Sequence, residues 1–206
     1  MIHNLFPSSV LIEDVDLTDE QINDLSVAIN TVFKAHEAIT GCHKISGEDS
    51  MPLFTKENTN TFPILKKLRH IFIDGFLKLA ESDPDNILTL KSIELMMDNH
   101  AGRLPIMKTN DYKGLHSHPG TVAYGIFYLT DVNNDKDGGK LILRDPSFHI
   151  SPGYRRKMKH EIETKRGRLV IAPSYVWHEV TPYYGVEDRI TVVSNLSFVP
   201  EDLIEN

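Results

Sequence analysis

From residue 121 onward, short apolar runs alternate with turn signals, and this rhythm restricts the fold more than any other feature. "TVAYGIFYL", "KLILR", "GRLVIAP" and "RITVVSNLSF" are rich in β-branched and aromatic residues, as strands are. "DVNNDKDGG" reads as the turn between the first two, and Pro173 closes the third. Short strands with turns between them point to an antiparallel sandwich or barrel.

The first half has a different period. Thr18 and Gln21 form a capping box, and Ile22, Leu25, Ile29, Val32 and Phe33 then recur at helical spacing. A second helix starts near Thr61 with Pro63 in its first turn. Ile64, Leu65, Leu68, Ile71, Phe72, Phe76 and Leu79 mark its apolar face, and "ESDPDN" ends it. Residues 39–60 read as loop, and "SIELMMDNH" reads as a strand. The expected fold class is α+β: an all-β core with N-terminal helices. One domain spans 1–206, with 1–90 as helical support and 91–206 as the β core.

Composition excludes several classes. No run of about eighteen apolar residues exists, so no transmembrane helix is expected. The N-terminus lacks a basic segment followed by a long apolar core, which leads to an expectation of cytoplasmic location and no membrane partner. Cys42 is the single cysteine, so no intrachain disulfide can form. A net charge of −7 argues against broad nucleic-acid binding. The basic run at 154–168, with Arg155, Arg156, Lys157, Lys159, Lys165, Arg166 and Arg168, reads as a solvated loop or hairpin face, with a docking surface for an anionic substrate as the alternative.

The chemistry concentrates in two segments. In "GLHSHPGTVAYGIFYL", His116 and His118 stand two apart, which on a strand places both imidazoles on one face. Imidazole suits iron, zinc, copper and nickel. Two histidines need a third ligand, and His178 in "APSYVWHEVTPYYG" is the best candidate. Arg189, eleven residues later, opens the last strand and can grip a carboxylate bidentately. The plain structural alternative makes the two histidines exposed strand-start residues and Arg189 a surface partner of Glu187 or Asp188.

In order and spacing these segments resemble the Fe(II)/2-oxoglutarate-dependent oxygenases. "LFPSSVLIED", "HSHPGTVAYGIFYL", "GGKLILRDP" and "RLVIAPSYVWHEVTPYYGVEDRITVVSN" carry the resemblance, and the last is also similar to the prolyl-hydroxylase type. The resemblance implies a double-stranded β-helix, a cupin-like jelly-roll with helices packed on one sheet. It implies Fe(II) as metal, 2-oxoglutarate as cosubstrate and O2, acting on a small-molecule or peptide substrate. His116 matches the first metal ligand and His178 the distal one. Arg189 matches the partner of the far carboxylate of 2-oxoglutarate. Tyr128 falls where prolyl-hydroxylase-type enzymes place a tyrosine on the same carboxylate, and Thr191 could add a hydroxyl. The two amphipathic helices permit a homodimer.

One departure matters. The usual motif carries a carboxylate where this chain has His118. Either His116, His118 and His178 form a three-histidine site, or His118 is the first ligand and Gly120 marks a vacancy as in iron halogenases, or a carboxylate such as Asp145 or Asp111 completes the set. The first needs no extra assumption. A neutral ligand in place of a carboxylate makes the ferrous site one unit more positive, so easier loss of metal is expected. Hydroxylation coupled to 2-oxoglutarate decarboxylation is the leading function. A three-histidine cupin-type dioxygenase without 2-oxoglutarate and a catalytically inactive binding jelly-roll are the competing ones. His149 and Asp145 are candidates for the pocket mouth, Trp177 for core, and Tyr183 and Tyr184 for covering the site or closing a turn.

Overall fold

The structure, a computed structural model, describes residues 8–40, 53–83, 88–98, 102, 104–145 and 158–197. Among the described residues nine strands form two antiparallel sheets: β1 (Leu11–Asp14), β2 (Ile106–Met107), β3 (Lys113–His116), β4 (Thr121–Tyr128), β5 (Leu141–Arg144), β6 (Lys159–Ile162), β7 (Arg168–Pro173), β8 (His178–Val180) and β9 (Arg189–Ser197). One sheet has the order β1-β7-β4-β9-β2 and the other β3-β8-β5-β6. From β2 onward the chain passes between sheets at every step except β5 to β6. That winding is a double-stranded β-helix, the expected fold.

β4 shows how sequence makes the layers. Ala123, Phe127 and Leu129 join the helices in one buried cluster, while Tyr124, Ile126 and Tyr128 point between the sheets into a second. β7 divides the same way, with Leu169 and Ile171 outward and Val170 and Ala172 inward. Both faces of this sheet are covered, so its central strands read as unbroken apolar runs rather than alternating ones.

The helices lie on the outer face of the five-stranded sheet. They are α1 (Asp19–Thr40), α2 (Lys56–Thr61), α3 (Pro63–Glu81) and α4 (Leu90–Asp98), with a short α5 (Asn134–Asp137) between β4 and β5. The capping box at α1 is present: Gln21 N–H donates to Thr18 Oγ1, and Thr18 N–H donates to Gln21 Oε1, each at 3.2 Å. Pro63 opens α3, where its missing N–H costs nothing.

Four local expectations need correction. "SIELMMD" is helix, not strand. Ile93, Leu95 and Met97 do alternate, but the buried Ile93, Met96 and Met97 also fall at helical spacing. Thr89 decides between the two periods, because its Oγ1 caps Ser92 N–H and Ser92 Oγ returns the bond to Thr89 N–H. The supposed loop at 39–60 contains α2 from Lys56, started by Thr55, whose side chain accepts from Asn58 N–H. "DVNNDKDGG" holds α5 before its glycine turn. Finally, "KHEI" in the basic run is β6, an edge strand with three exposed polar residues and one buried isoleucine, a composition that conceals a strand. The described cations of that run meet acids: Lys165 and Arg168 pair with Asp14, and Arg166 with Asp19 and Asp131. That supports a solvated face; Arg155, Arg156 and Lys157 lie outside the described residues, as does Cys42.

Two glycines set the distance between α3 and the sheet. A Cβ on Gly125 of β4 would fall 2.6 Å from Ile171 Cδ1 and 2.8 Å from two atoms of the Phe72 ring. One on Gly75 of α3 would meet Leu169 Cδ2 at 2.8 Å. The Phe72 ring cannot rotate away as a leucine methyl can. Gly125→Ala is expected to cost about 1–3 kcal/mol by overpacking. Gly75→Ala is expected to cost less, because alanine regains roughly 1 kcal/mol of helix propensity. Urea denaturation of both variants checks the ranking.

β1 is tied to β7 by charge as well as by its ladder. Arg168 Nε and Nη2 donate to the two oxygens of Asp14, its register partner, and Lys165 adds a third contact at 2.6 Å. These bonds hold the Asp14 carboxyl down from 3.8 to about 2. The folded state therefore resists protonation, and this stabilisation is complete above the unfolded value and fades as pH falls toward about 2. The carboxylate is 43% exposed, which screens the gain to about 1 kcal/mol. Asp14→Asn is expected to lose that amount at neutral pH, with the deficit shrinking through the acid range. Denaturation curves at a series of pH values measure it.

Candidate metal centre

Pairing of β3 with β8 places His116 directly opposite His178. His118 lies beyond the end of β3, in the turn that leads to β4, so strand alternation does not explain its position. Its backbone does: His118 N–H donates to Ser174 O, and Thr121 N–H and Oγ1 both donate to His118 O. The three rings converge, with centroids 4.2 Å apart for His116 and His178, 5.1 Å for His118 and His178, and 5.5 Å for His116 and His118. One nitrogen from each lies within 4.8 Å of the others, a set that could hold a metal ion.

The protonation pattern suits that use. His116 Nδ1 lies 2.7 Å from Gly114 O and His178 Nδ1 lies 3.4 Å from Val176 O. A carbonyl can only accept, so both Nδ1 atoms carry a proton, and in the neutral ring Nε2 keeps the lone pair a metal would take. His118 Nδ1 meets Asn195 Oδ1 at 2.8 Å. Burial, with the neighbouring His116 and His118, pulls His178 down to about 3, so it is a neutral ligand at physiological pH. Tyr124 forms the floor, its ring stacked at 4.5 Å on His118 and 4.4 Å on His178.

The three histidines line a cavity of about 470 Å³ that also meets Arg189 and Thr191. Arg189 is 2% exposed, which removes the surface ion-pair alternative. Its Nε donates to Gly139 O at 3.0 Å and Thr164 Oγ1 at 3.2 Å, and Nη1 lies 3.4 Å from Met107 Sδ. Gly139 has φ +68°, and a Cβ there would come within 3.1 Å of Arg189 Cδ, so the glycine pair of "GGKLILR" is needed for this approach. Among the described residues no carboxylate pairs with Arg189. A buried guanidinium without an anion is costly, and burial lowers its pKa accordingly. The guanidinium could therefore take an anion that enters the cavity.

Tyr128 is fully buried beside it, with the guanidinium carbon 5.2 Å from the ring centre. Its hydroxyl is the buried side-chain polar atom without a hydrogen-bond partner among the described residues. Burial raises its pKa, against the pull of Arg189. Thr191 faces the cavity with its hydroxyl 3.5 Å from Pro105 O. These residues fit a metal held by imidazoles and a ligand with a distant carboxylate.

The remaining candidates separate. Asp145 follows the end of β5 and is not among the residues that line the cavity, and His149 lies outside the described residues. Asp111 lines the mouth but accepts from Lys108 N–H and stays outside the cluster of ligand atoms. Gly120 has the φ of +81° that its turn requires, and a side chain there would meet nothing within 4 Å. Tyr183 is buried and closes a turn by donating to Glu187 O, whereas Tyr184 is exposed. Sequence reasoning missed Tyr124, Asn195, Gly139, Met107 and Thr164. Alternation along β4 from Tyr128 and along β9 from Arg189 would have flagged the first two.

Residues 104–195 match the model of a family described as "Putative 2OG-Fe(II) oxygenase". No curated protein matches the sequence. Among solved structures, a prolyl hydroxylase from Trichoplax adhaerens, in complex with a hypoxia inducible factor peptide fragment, aligns with TM-score 0.59 at 11% identity, over 91% of this chain and 83% of its own. The viral collagen prolyl hydroxylase of Paramecium Bursaria Chlorella virus-1 aligns with TM-score 0.55 at 14% identity, over 97% of each chain. HygX from Streptomyces hygroscopicus, solved with nickel and 2-oxoglutarate, gives 0.54 at 10% identity, over 91% of this chain and 81% of its own. What these structures share with this chain is the double-stranded β-helix.

A single divalent cation is expected to bind the metal-free protein. Each of His116→Ala, His118→Ala and His178→Ala should weaken Co(II) binding by more than about 100-fold, beyond what loss of an outer partner costs. Calorimetric titration reads both stoichiometry and affinity.

Proposed function

We infer that this chain is a 2OG-Fe(II) oxygenase that hydroxylates a small-molecule or protein side-chain substrate and releases succinate and CO2, a reading that the match over residues 104–195 and the fold support. The observation that carries the reading is one cavity that meets three convergent histidines and a buried arginine without an acid.

His116, His118 and His178 would hold Fe(II) through Nε2. Bound there, Fe(II) with O2 and 2-oxoglutarate would supply the oxidation: the keto acid would lose CO2 and gain one oxygen atom of O2 to become succinate, and the other atom would enter a substrate C–H bond. The chain's own residues orient and protect. Arg189 would pair with the far carboxylate, gaining the anion its buried charge lacks. Tyr128 would donate its unpartnered hydroxyl to the same carboxylate, and burial keeps that hydroxyl protonated. Thr191 can add a third donor. Ile126, Leu141 and Val193 line the space between and exclude water. Substrate enters past Asp111, Tyr112 and Lys113, where Tyr112 is 68% exposed.

Anaerobic addition of Fe(II) and then 2-oxoglutarate is expected to produce a visible charge-transfer band. Arg189→Ala removes one partner of a buried charge pair, a loss of at least about 2 kcal/mol, so half-saturation by 2-oxoglutarate should rise at least about 30-fold. His118→Ala should abolish the band. A band that survives His118→Ala would move the third ligand elsewhere. Iron binding without any band would favour a dioxygenase that does not use 2-oxoglutarate, or a binding protein.

A further inference from the structure

His118 is held differently from the other two histidines. His116 and His178 each use the carbonyl two residues back along the chain, Gly114 O and Val176 O. His118 turns to a side chain 77 residues away, Asn195 Oδ1 at 2.8 Å. Asn195 lies on β9, opposite Tyr124 of β4 in the ladder, and Tyr124 is the ring stacked on His118. It is 8% exposed and follows the i, i+2 series of Arg189, Thr191 and Val193, all of which line the cavity.

We propose that Asn195 is the positioning residue of the third metal ligand: its amide oxygen takes the Nδ1 proton of His118 and so presents the Nε2 lone pair to the metal. The inference rests on the three-histidine iron reading. A neutral imidazole has one N–H and one lone pair, and the acceptor it meets determines which nitrogen keeps which. A carboxylate ligand would be drawn to the cation by charge. A neutral ring lacks that pull, so its orientation and tautomer must be fixed beforehand. The stack on Tyr124 fixes the ring plane; the bond to Asn195 fixes the proton.

The role separates from simple space filling. Leucine at 195 keeps the volume and removes the acceptor. Aspartate keeps the acceptor and makes His118 more basic. In the metal-free protein, two-bond proton–nitrogen NMR spectra are expected to show His118 protonated at Nδ1. Titration with Co(II) is expected to give affinity about 10–100-fold weaker for Asn195→Leu. Asn195→Asp should keep the Nδ1–H tautomer and bind at least as tightly as the wild type. Wild-type His118 protonated at Nε2, or Asn195→Leu with unchanged affinity, overturns the role while leaving the iron reading intact. Wild-type protein that binds no Co(II) overturns both. Should Asn195→Leu not fold, the wild-type tautomer and the affinity of Asn195→Asp decide, and an aspartate variant weaker than wild type overturns the proposal.

Discussion

The pairing of β4 with β9 is the constraint on which the site depends. Its register sets Tyr128 against Thr191 at one end and Tyr124 against Asn195 at the other. The first pair belongs to the arginine end of the cavity and the second to the histidine end. One strand, β9, therefore carries the arginine that needs an anion and the amide that holds a metal-site histidine, about 20 Å apart along an extended chain. A slip of one residue would turn both toward the helices. The helices guard against that slip, because Phe127, Val192 and Leu196 are buried in their cluster only in this register.

Glycine makes the arrangement possible at two contacts. Gly125 lets Phe72 of α3 lie against the middle of β4, so the sheet is braced directly behind Tyr124 and Ile126. Gly139 lets Arg189 reach a backbone carbonyl and Thr164 in a space no side chain could share. The guanidinium is thus fixed by neutral acceptors alone, and its charge stays uncompensated within the described protein. A carboxylate at Glu187 or Asp188, adjacent in sequence, would have cancelled it had the chain turned inward there. Both sit in the turn before β9 and stay exposed.

The sandwich, the two long helices and the set of His116, His118, His178 and Arg189 were legible because each depends on local pattern: unbroken β-branched runs, a 3.6-residue period, and chemically distinctive side chains. "SIELMMD" was misread because its apolar residues satisfy both periods, and only the Thr89–Ser92 cap separates them. β6 was hidden because an edge strand facing water needs no apolar face. Alternation turns Asn195 inward without naming its partner, and Thr164 carries no pattern at all. Their roles come from contacts between residues 77 and 25 positions apart, and a neutral polar residue, in a strand like Asn195 or between strands like Thr164, has no sequence signal of such a partner.

The exchange of a carboxylate for His118 has a consequence for the whole cavity. With three neutral ligands a ferrous ion keeps both positive charges, and a dianionic keto acid cancels them where a carboxylate-ligated site would be left with net negative charge. Arg189 adds a further positive charge at the far end of the same cavity. The dianion would thus be favoured at both ends, while the bare ion would be held less tightly than a carboxylate would hold it. On this reading metal and cosubstrate binding would be coupled: each would lack in the other's absence the charge it needs. Such a site gains from donors already in place before either arrives, and the hydrogen bonds at Gly114 O, Val176 O and Asn195 Oδ1 provide that order in the metal-free protein.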